Sequence, residues 1–132
     1  MKTNLSLKLI ALSAMLFVIT FATSARSYDN QLIYNPIEEN GLMVGQTVFK
    51  MDGSTLANYM KYNYKYNADK RMIESEALKW NSTKEEWVKD LRINYTYTGK
   101  TVTTEYYKWD SKKKEYILVP EMTVTMDDTN LN

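Results

Sequence analysis

The sequence predicts an all-β fold: an antiparallel meander of about seven strands, built from 29-residue hairpin repeats and curled into an open barrel or sandwich. Three observations predict it. The first is an internal repeat. Lys50-Met51-Asp52-Gly53, Lys79-Trp80-Asn81-Ser82 and Lys108-Trp109-Asp110-Ser111 follow one another at a step of 29 residues. Val44, Ile73 and Val102 keep that step, as do Phe49, Leu78 and Tyr107, then Tyr64, Ile93 and Met122, then Tyr66, Tyr95 and Val124. Trp87 and Tyr116 match in the second and third copies, with Tyr59 one place off in the first. A fixed period of this length marks one supersecondary unit used several times. The second observation is strict alternation of apolar and polar residues, the mark of a half-buried strand. The third is turn chemistry between the alternating runs, with no 3.6-residue period after the N-terminal segment.

Taken in chain order, the first element is a targeting segment. Lys2 and Lys8 are basic and no acidic residue precedes Asp29. Residues 9–22 are apolar apart from Ser13 and Thr20, and Ala22, Thr23, Ser24, Ala25 and Ser27 supply small residues behind them. This is the pattern of a secretory signal peptide over residues 1–27, cut after Ala25 or Ser27. The apolar run is short of the roughly 20 residues that a membrane-spanning helix needs. Residues 28–132 then form a single domain. Its first strand covers about 30–35 and ends before the Asn40-Gly41 turn. Strands over 42–51, 71–80 and 100–109 carry the aligned repeat columns. The strand over 57–66 alternates Tyr62, Tyr64 and Tyr66 with Asn63 and Lys65. That over 86–97 alternates Leu91, Ile93, Tyr95 and Tyr97 with Arg92, Asn94 and Thr96, and that over 115–126 alternates Met122, Val124 and Met126 with Thr123 and Thr125. Turns fall at Asp52-Gly53, Asn67-Ala68-Asp69, Asn81-Ser82, Thr98-Gly99 and Asp110-Ser111, where Gly, Asn and Asp tolerate left-handed backbone. Short connections make sequential strands antiparallel neighbours.

Composition excludes several classes. With no cysteine, neither a lipid attached to cysteine nor a disulfide scaffold is available, so the fold rests on its core. With no histidine either, the commonest zinc ligands and the Ser–His and Cys–His nucleophile systems are missing. The sequence points to no catalytic group, metal or cofactor. Without residues 1–27 the chain has 14 basic and 16 acidic residues, a balance that points to neither nucleic acid nor an anionic membrane. Lys112-Lys113-Lys114 reads as a solvated hairpin tip. Asn81-Ser82-Thr83 and Asn94-Tyr95-Thr96 fit the N-glycosylation pattern as products of an Asn- and Thr-rich composition. Asp127 and Asp128 read as a polar chain end rather than a calcium site, since no spaced oxygen-ligand loop accompanies them.

The alternating runs leave one strongly apolar, aromatic face, and a flat sheet would leave it in water. Curling, pairing with a second copy, or cover by a partner would each resolve this, and curling needs no partner. The candidate binding residues are Trp80, Trp87, Trp109 and Tyr116, which flank the loops of the second and third hairpins. Each pair is a cross-strand clamp at a hairpin end, or else one rung of a ladder of rings for stacking a sugar chain or a peptide. Glu76 and Glu105 occupy equivalent repeat positions, with Glu74 on the same face as Glu76. Paired carboxylates are what a glycosidase requires, but a small sheet without long loops offers little cleft, and a solvated sheet face suits them better.

The phrases Val48-Phe49-Lys50-Met51-Asp52-Gly53-Ser54, Tyr62-Asn63-Tyr64-Lys65-Tyr66 and Leu78-Lys79-Trp80-Asn81-Ser82-Thr83-Lys84, with the ending Val119-Pro120-Glu121-Met122-Thr123-Val124, resemble small exported proteins of gut Bacteroidetes that form a domain family of unknown function. The resemblance covers roughly residues 30–128 and implies a bacterial, cell-envelope or secreted setting; it carries no activity and no functional residues. Tyr64-Lys65-Tyr66-Asn67-Ala68-Asp69-Lys70-Arg71-Met72 is similar, more locally, to the tyrosine-aspartate (YD) hairpin repeats of bacterial surface and toxin-shell proteins. Asn67 stands where those repeats have aspartate and Lys70 where they have glycine, so the likeness is one of hairpin construction.

The sequence therefore points to an exported, non-catalytic binding or interaction domain, in the periplasm, at the cell surface or secreted, with no membrane span once the signal is removed. Its partner is an extracellular glycan or an envelope protein. The alternatives are a structural or self-assembling envelope component, in which the chain forms homo-oligomers, and a carboxylate-based hydrolase.

Overall fold

The computed structural model describes residues 31–129, and the signal peptide read over residues 1–27 lies outside them. Eight strands follow in order: β1 (Leu32–Glu39), β2 (Leu42–Asp52), β3 (Thr55–Tyr66), β4 (Met72–Asn81), β5 (Glu86–Thr98), β6 (Thr101–Asp110), β7 (Glu115–Leu118) and β8 (Val124–Asp127). Strands β1 to β7 are hydrogen-bonded antiparallel in chain order, and β8 pairs with β6 beyond the end of β7. The sheet is an all-β meander and does not close, because β1 and the β7–β8 edge are not paired with each other.

Two expectations are corrected. The first strand extends past Pro36 to Glu39, because β1 is an edge strand and a proline there leaves no ladder bond unmade. The last strand is two strands. Val119 still donates to the Tyr106 carbonyl, but Pro120–Met122 form a 3-10 turn, with Met122 N bonded to Val119 O and Thr123 N to Pro120 O, before the chain rejoins β6. Proline has no N–H for the ladder, so the pairing breaks there.

The turns repeat with the strands. Asn81 Oδ1 accepts the amides of Thr83 and Lys84, and Asp110 Oδ1 accepts those of Lys112 and Lys113. Glu85 and Lys114, at the matching place in each loop, have φ of 53° and 56°. Lys112–Lys114 are exposed in this turn, as a hairpin tip should be. The first hairpin turns more tightly: Asp52 pairs directly with Thr55, while Asn81 pairs with Glu86 and Asp110 with Glu115. Its loop is two residues shorter. The 29-residue step therefore holds for β2, β4 and β6, while β3 and β5 are offset by 31. The structural partners are Tyr62 with Ile93, Tyr64 with Tyr95 and Tyr66 with Tyr97. Side-chain direction alternates with period two, so an offset of two preserves every face.

The two faces differ. One carries Gln46, Val48, Tyr62, Tyr64, Ala77, Leu91, Ile93 and Tyr95, and here the core lies: Met43, Tyr64 and Met72 are buried, with Tyr62, Tyr66 and Tyr95 packed on them. The Tyr62 and Tyr64 rings stack with centroids 6.5 Å apart. Tyr66 donates its hydroxyl to the Met43 carbonyl and Tyr97 to the Met72 carbonyl, both at 2.7 Å. Bulges interrupt the register in each of the first four strand pairs, at Ile37/Glu38, Val48/Phe49, Lys65/Tyr66 and Ala77/Leu78, two of them at the 29-residue step. A bulge bends its strand and increases local twist, so the repeat carries its own curvature.

Candidate functional site

Residues paired directly across two strands project to the same side of a sheet. By that rule Trp80 and Trp87, and Trp109 and Tyr116, stand on the face opposite the core, at the end where the three long hairpins turn. The structure brings all four candidate residues to one surface, each of them half-buried. Within each pair the rings meet edge to face, with centroids 5.0 Å apart and interplanar angles of 64° and 67°. Such a pair adds about 0.5–1.5 kcal/mol beyond the area it buries, so both pairs clamp their hairpins. The matching position in the first hairpin is the Met51–Leu56 pair, which replaces Tyr59 as the third column because of the shorter loop. Tyr59 falls in the bulge opposite Val48/Phe49.

Charge surrounds the third-hairpin pair. Lys89 Nζ lies 4.7 Å from the Trp109 ring centre and 5.6 Å from that of Tyr116. The Arg92 guanidinium lies 4.5 Å from the Tyr116 ring and 5.0 Å from the Tyr107 ring. Cations over aromatic rings are held by the negative ring face. The Trp80–Trp87 rings have no cation over them among the described residues.

The carboxylates of this face are engaged. Tyr116 Oη donates to Glu76 Oε2 at 2.8 Å, crossing two intervening strands, and Asn63 Nδ2 donates to Glu76 Oε1 at 3.5 Å. Tyr107 donates to Glu105 Oε2 at 3.1 Å, and Lys65 pairs with Glu74 at 2.8 Å. Burial pushes the Tyr116 hydroxyl above the ordinary tyrosine value, and its bond to the Glu76 carboxylate pushes it the same way. Two shallow surface hollows of about 510 and 500 Å³ lie at hairpin ends, one against Trp109 with Lys108 and Ile117, the other around Lys50, Asp52 and Tyr59. Neither is lined by Glu76 or Glu105.

Asp128 is corrected from a polar chain end to a buried group, ion-paired with Arg71, whose guanidinium lies 3.6 Å from the Tyr97 ring centre. Among the described residues no cluster of acidic side chains is placed to hold a metal ion. The Asn81 carboxamide oxygen serves as a turn acceptor, and Asn94 lies in β5 opposite Glu74 and Glu105. Nothing in the local sequence marks Lys89 as part of this face. A signal for Arg92 exists: Lys61 holds the same place in β3 once the 31-residue offset is applied.

These features define a class, an open antiparallel sheet of hairpin repeats with a tyrosine-rich core on one face and an aromatic, cation-bearing surface on the other. The chain belongs to the DUF3836 family, a family of unknown function, whose model matches residues 1–127. It is similar to the crystal structure of a DUF3836 protein from Bacteroides vulgatus, with 64% identity, 73% of this chain and 98% of that one covered, and a TM-score of 0.70. It is similar to another from Parabacteroides distasonis, with 30% identity, 76% and 94% covered, and a TM-score of 0.66. A protein of unknown function from Bacteroides fragilis shares the fold at 22% identity, with 76% and 75% covered and a TM-score of 0.67. No curated protein matches the chain at a significant level.

Proposed function

We propose that this protein is an exported, non-catalytic binding domain whose outer aromatic face engages an extracellular glycan or a protein of the cell envelope. One observation carries the reading: Trp80, Trp87, Trp109 and Tyr116 come from two hairpins to one half-exposed surface at one end of the sheet. Aromatic rings offer large contact area at small entropic cost. The engaged carboxylates count against a hydrolase, because a general acid or base needs access to a bound substrate. Export is supported by the charged, apolar and small-residue order of residues 1–27.

The test uses the protein recovered from the envelope or medium, whose intact mass should show a start at Arg26 or Tyr28. Applied to a glycan array and to envelope extracts, it should bind, and a variant with all four rings replaced by leucine should lose binding while keeping its β-sheet circular dichroism. Undiminished binding by that folded variant would remove the face from consideration.

Self-assembly, the second reading, has one observation in its favour. Ile117, Leu118, Met122, Val124 and Met126 are exposed along the β7–β8 edge. A mass that rises with concentration in light scattering would favour it.

A further inference from the structure

The outer face has a spacing and a charge pattern that narrow its ligand. The Met51–Leu56, Trp80–Trp87 and Trp109–Tyr116 pairs sit on successive hairpins, two strands apart. Two strand spacings are about 10 Å, close to the length of one disaccharide in an extended chain of pyranose rings. Lys89 stands on β5 between the second and third pairs, two residues from Trp87 and over the Trp109 ring. Arg92 lies against Tyr116 of the third pair. Lys61 occupies the place of Arg92 one hairpin earlier.

Lys61, Lys89 and Arg92 make no salt bridge or hydrogen bond among the described residues. The acidic groups of the same face, Glu74, Glu76 and Glu105, are held by Lys65, by Tyr116 and Asn63, and by Tyr107. The cations are thus the groups left to meet a ligand. A guanidinium lying on an aromatic ring presents its N–H fork sideways, the geometry that a carboxylate accepts.

Resting on the reading that this face binds a ligand, we propose that the ligand is an acidic polysaccharide with one carboxylate per disaccharide. The chain lies across the strands with sugar rings on the row of aromatic and apolar pairs, and its carboxylates meet Lys89 and Arg92, with Lys61 serving the next disaccharide. A densely charged polyanion such as nucleic acid fits less well, because residues 28–132 carry an acidic excess.

Binding is measured by calorimetry with the purified protein against hyaluronan and unsulfated chondroitin, each with one uronate per disaccharide. Carboxyl-reduced hyaluronan has the same backbone without the charge, and poly-glutamate has the charge without the sugar. The expected result is binding to the two acidic polymers, weakened by raising salt from about 50 to about 500 mM. K89Q and R92Q should each weaken it about tenfold, and the carboxyl-reduced polymer should not bind. The reduced polymer needs no variant, so the comparison stands even if a substitution unfolds the chain. Equal binding of reduced and native hyaluronan would overturn the charge assignment and leave the glycan reading intact. Binding of poly-glutamate alone would overturn it in favour of an acidic protein partner. Failure of every acidic polymer overturns it too; an array and an envelope extract that are also blank would overturn the broader reading as well.

Discussion

Tyrosine carries unusual weight at the scale of the single residue: 11 of the 132 residues are tyrosines, and the chain has no histidine or cysteine to share their polar duties. On the core face they supply apolar area and then satisfy their hydroxyls on backbone carbonyls, as Tyr66 and Tyr97 do at equivalent places. Burial, the main cause, raises the hydroxyl pKa of Tyr62, Tyr64, Tyr66, Tyr95 and Tyr97 above the ordinary 10.0. A raised folded-state value means that the folded protein holds the proton more tightly than the unfolded chain. The resulting stabilisation is complete below the unfolded pKa of 10.0 and is lost as pH climbs from there through the folded values. The melting temperature should therefore fall once pH passes 10, and tyrosinate absorbance should lag behind that of the chain in denaturant. Native tyrosines that all titrated at the ordinary value would contradict this account.

At the scale of the element, each hairpin is governed by its loop and its bulge. The two-residue difference between the first loop and the others shifts the second strand by one full pleat, which the sheet accommodates without exchanging faces. Gly45 shows how closely the bulged strands approach. It pairs with Ile37 on β1 and Asn63 on β3, next to the register break at Ile37/Glu38. A Cβ there would sit 3.0 Å from the Tyr62 backbone oxygen and 3.8 Å from Ile37 Cδ1. The carbonyl belongs to the ladder and cannot swing aside as a side chain would. Gly45→Ala should cost about 1–3 kcal/mol, read as a lower guanidinium midpoint with unchanged slope. A neutral result would mean that β2 and β3 can separate locally at this point.

At the scale of the whole molecule, an open sheet has two edges, and exposed edges invite pairing with other chains. The chain has two prolines, and each lies at one edge: Pro36 in β1, and Pro120 between the two four-residue strands β7 and β8. Glu38 and Glu39 add exposed charge to β1. Proline, short strands and edge charge are the devices by which sheets avoid edge-to-edge growth, and they weigh against strand-mediated assembly. Pro36→Val combined with Glu38→Thr restores an edge donor and removes a charge. The double variant should sediment as concentration-dependent oligomers where the parent does not. A variant that behaves as its parent would show that the edges are protected by something else. The Arg71–Asp128 ion pair works at the same scale, tying the end of β8 to the start of β4.

The sequence by itself determined what depends on neighbours in the chain: the all-β class, the hairpin repeat, the turn sites and which side chains share a face. Alternation and turn chemistry act over a few residues, so they are legible without the fold. The break in the last strand was legible too, since Pro120 cannot donate to a ladder; the alternation of Met122, Val124 and Met126 masked it. Tertiary structure alone decided the rest. The bond from Tyr116 to Glu76 joins residues 40 apart in the chain, the Arg71–Asp128 pair joins still more distant ones, and Lys89 and Arg92 gain meaning only from the rings beneath them. These contacts depend on register, on bulges and on a two-residue loop difference. Each of those is set by how strands seat against one another, and no single strand's sequence specifies that.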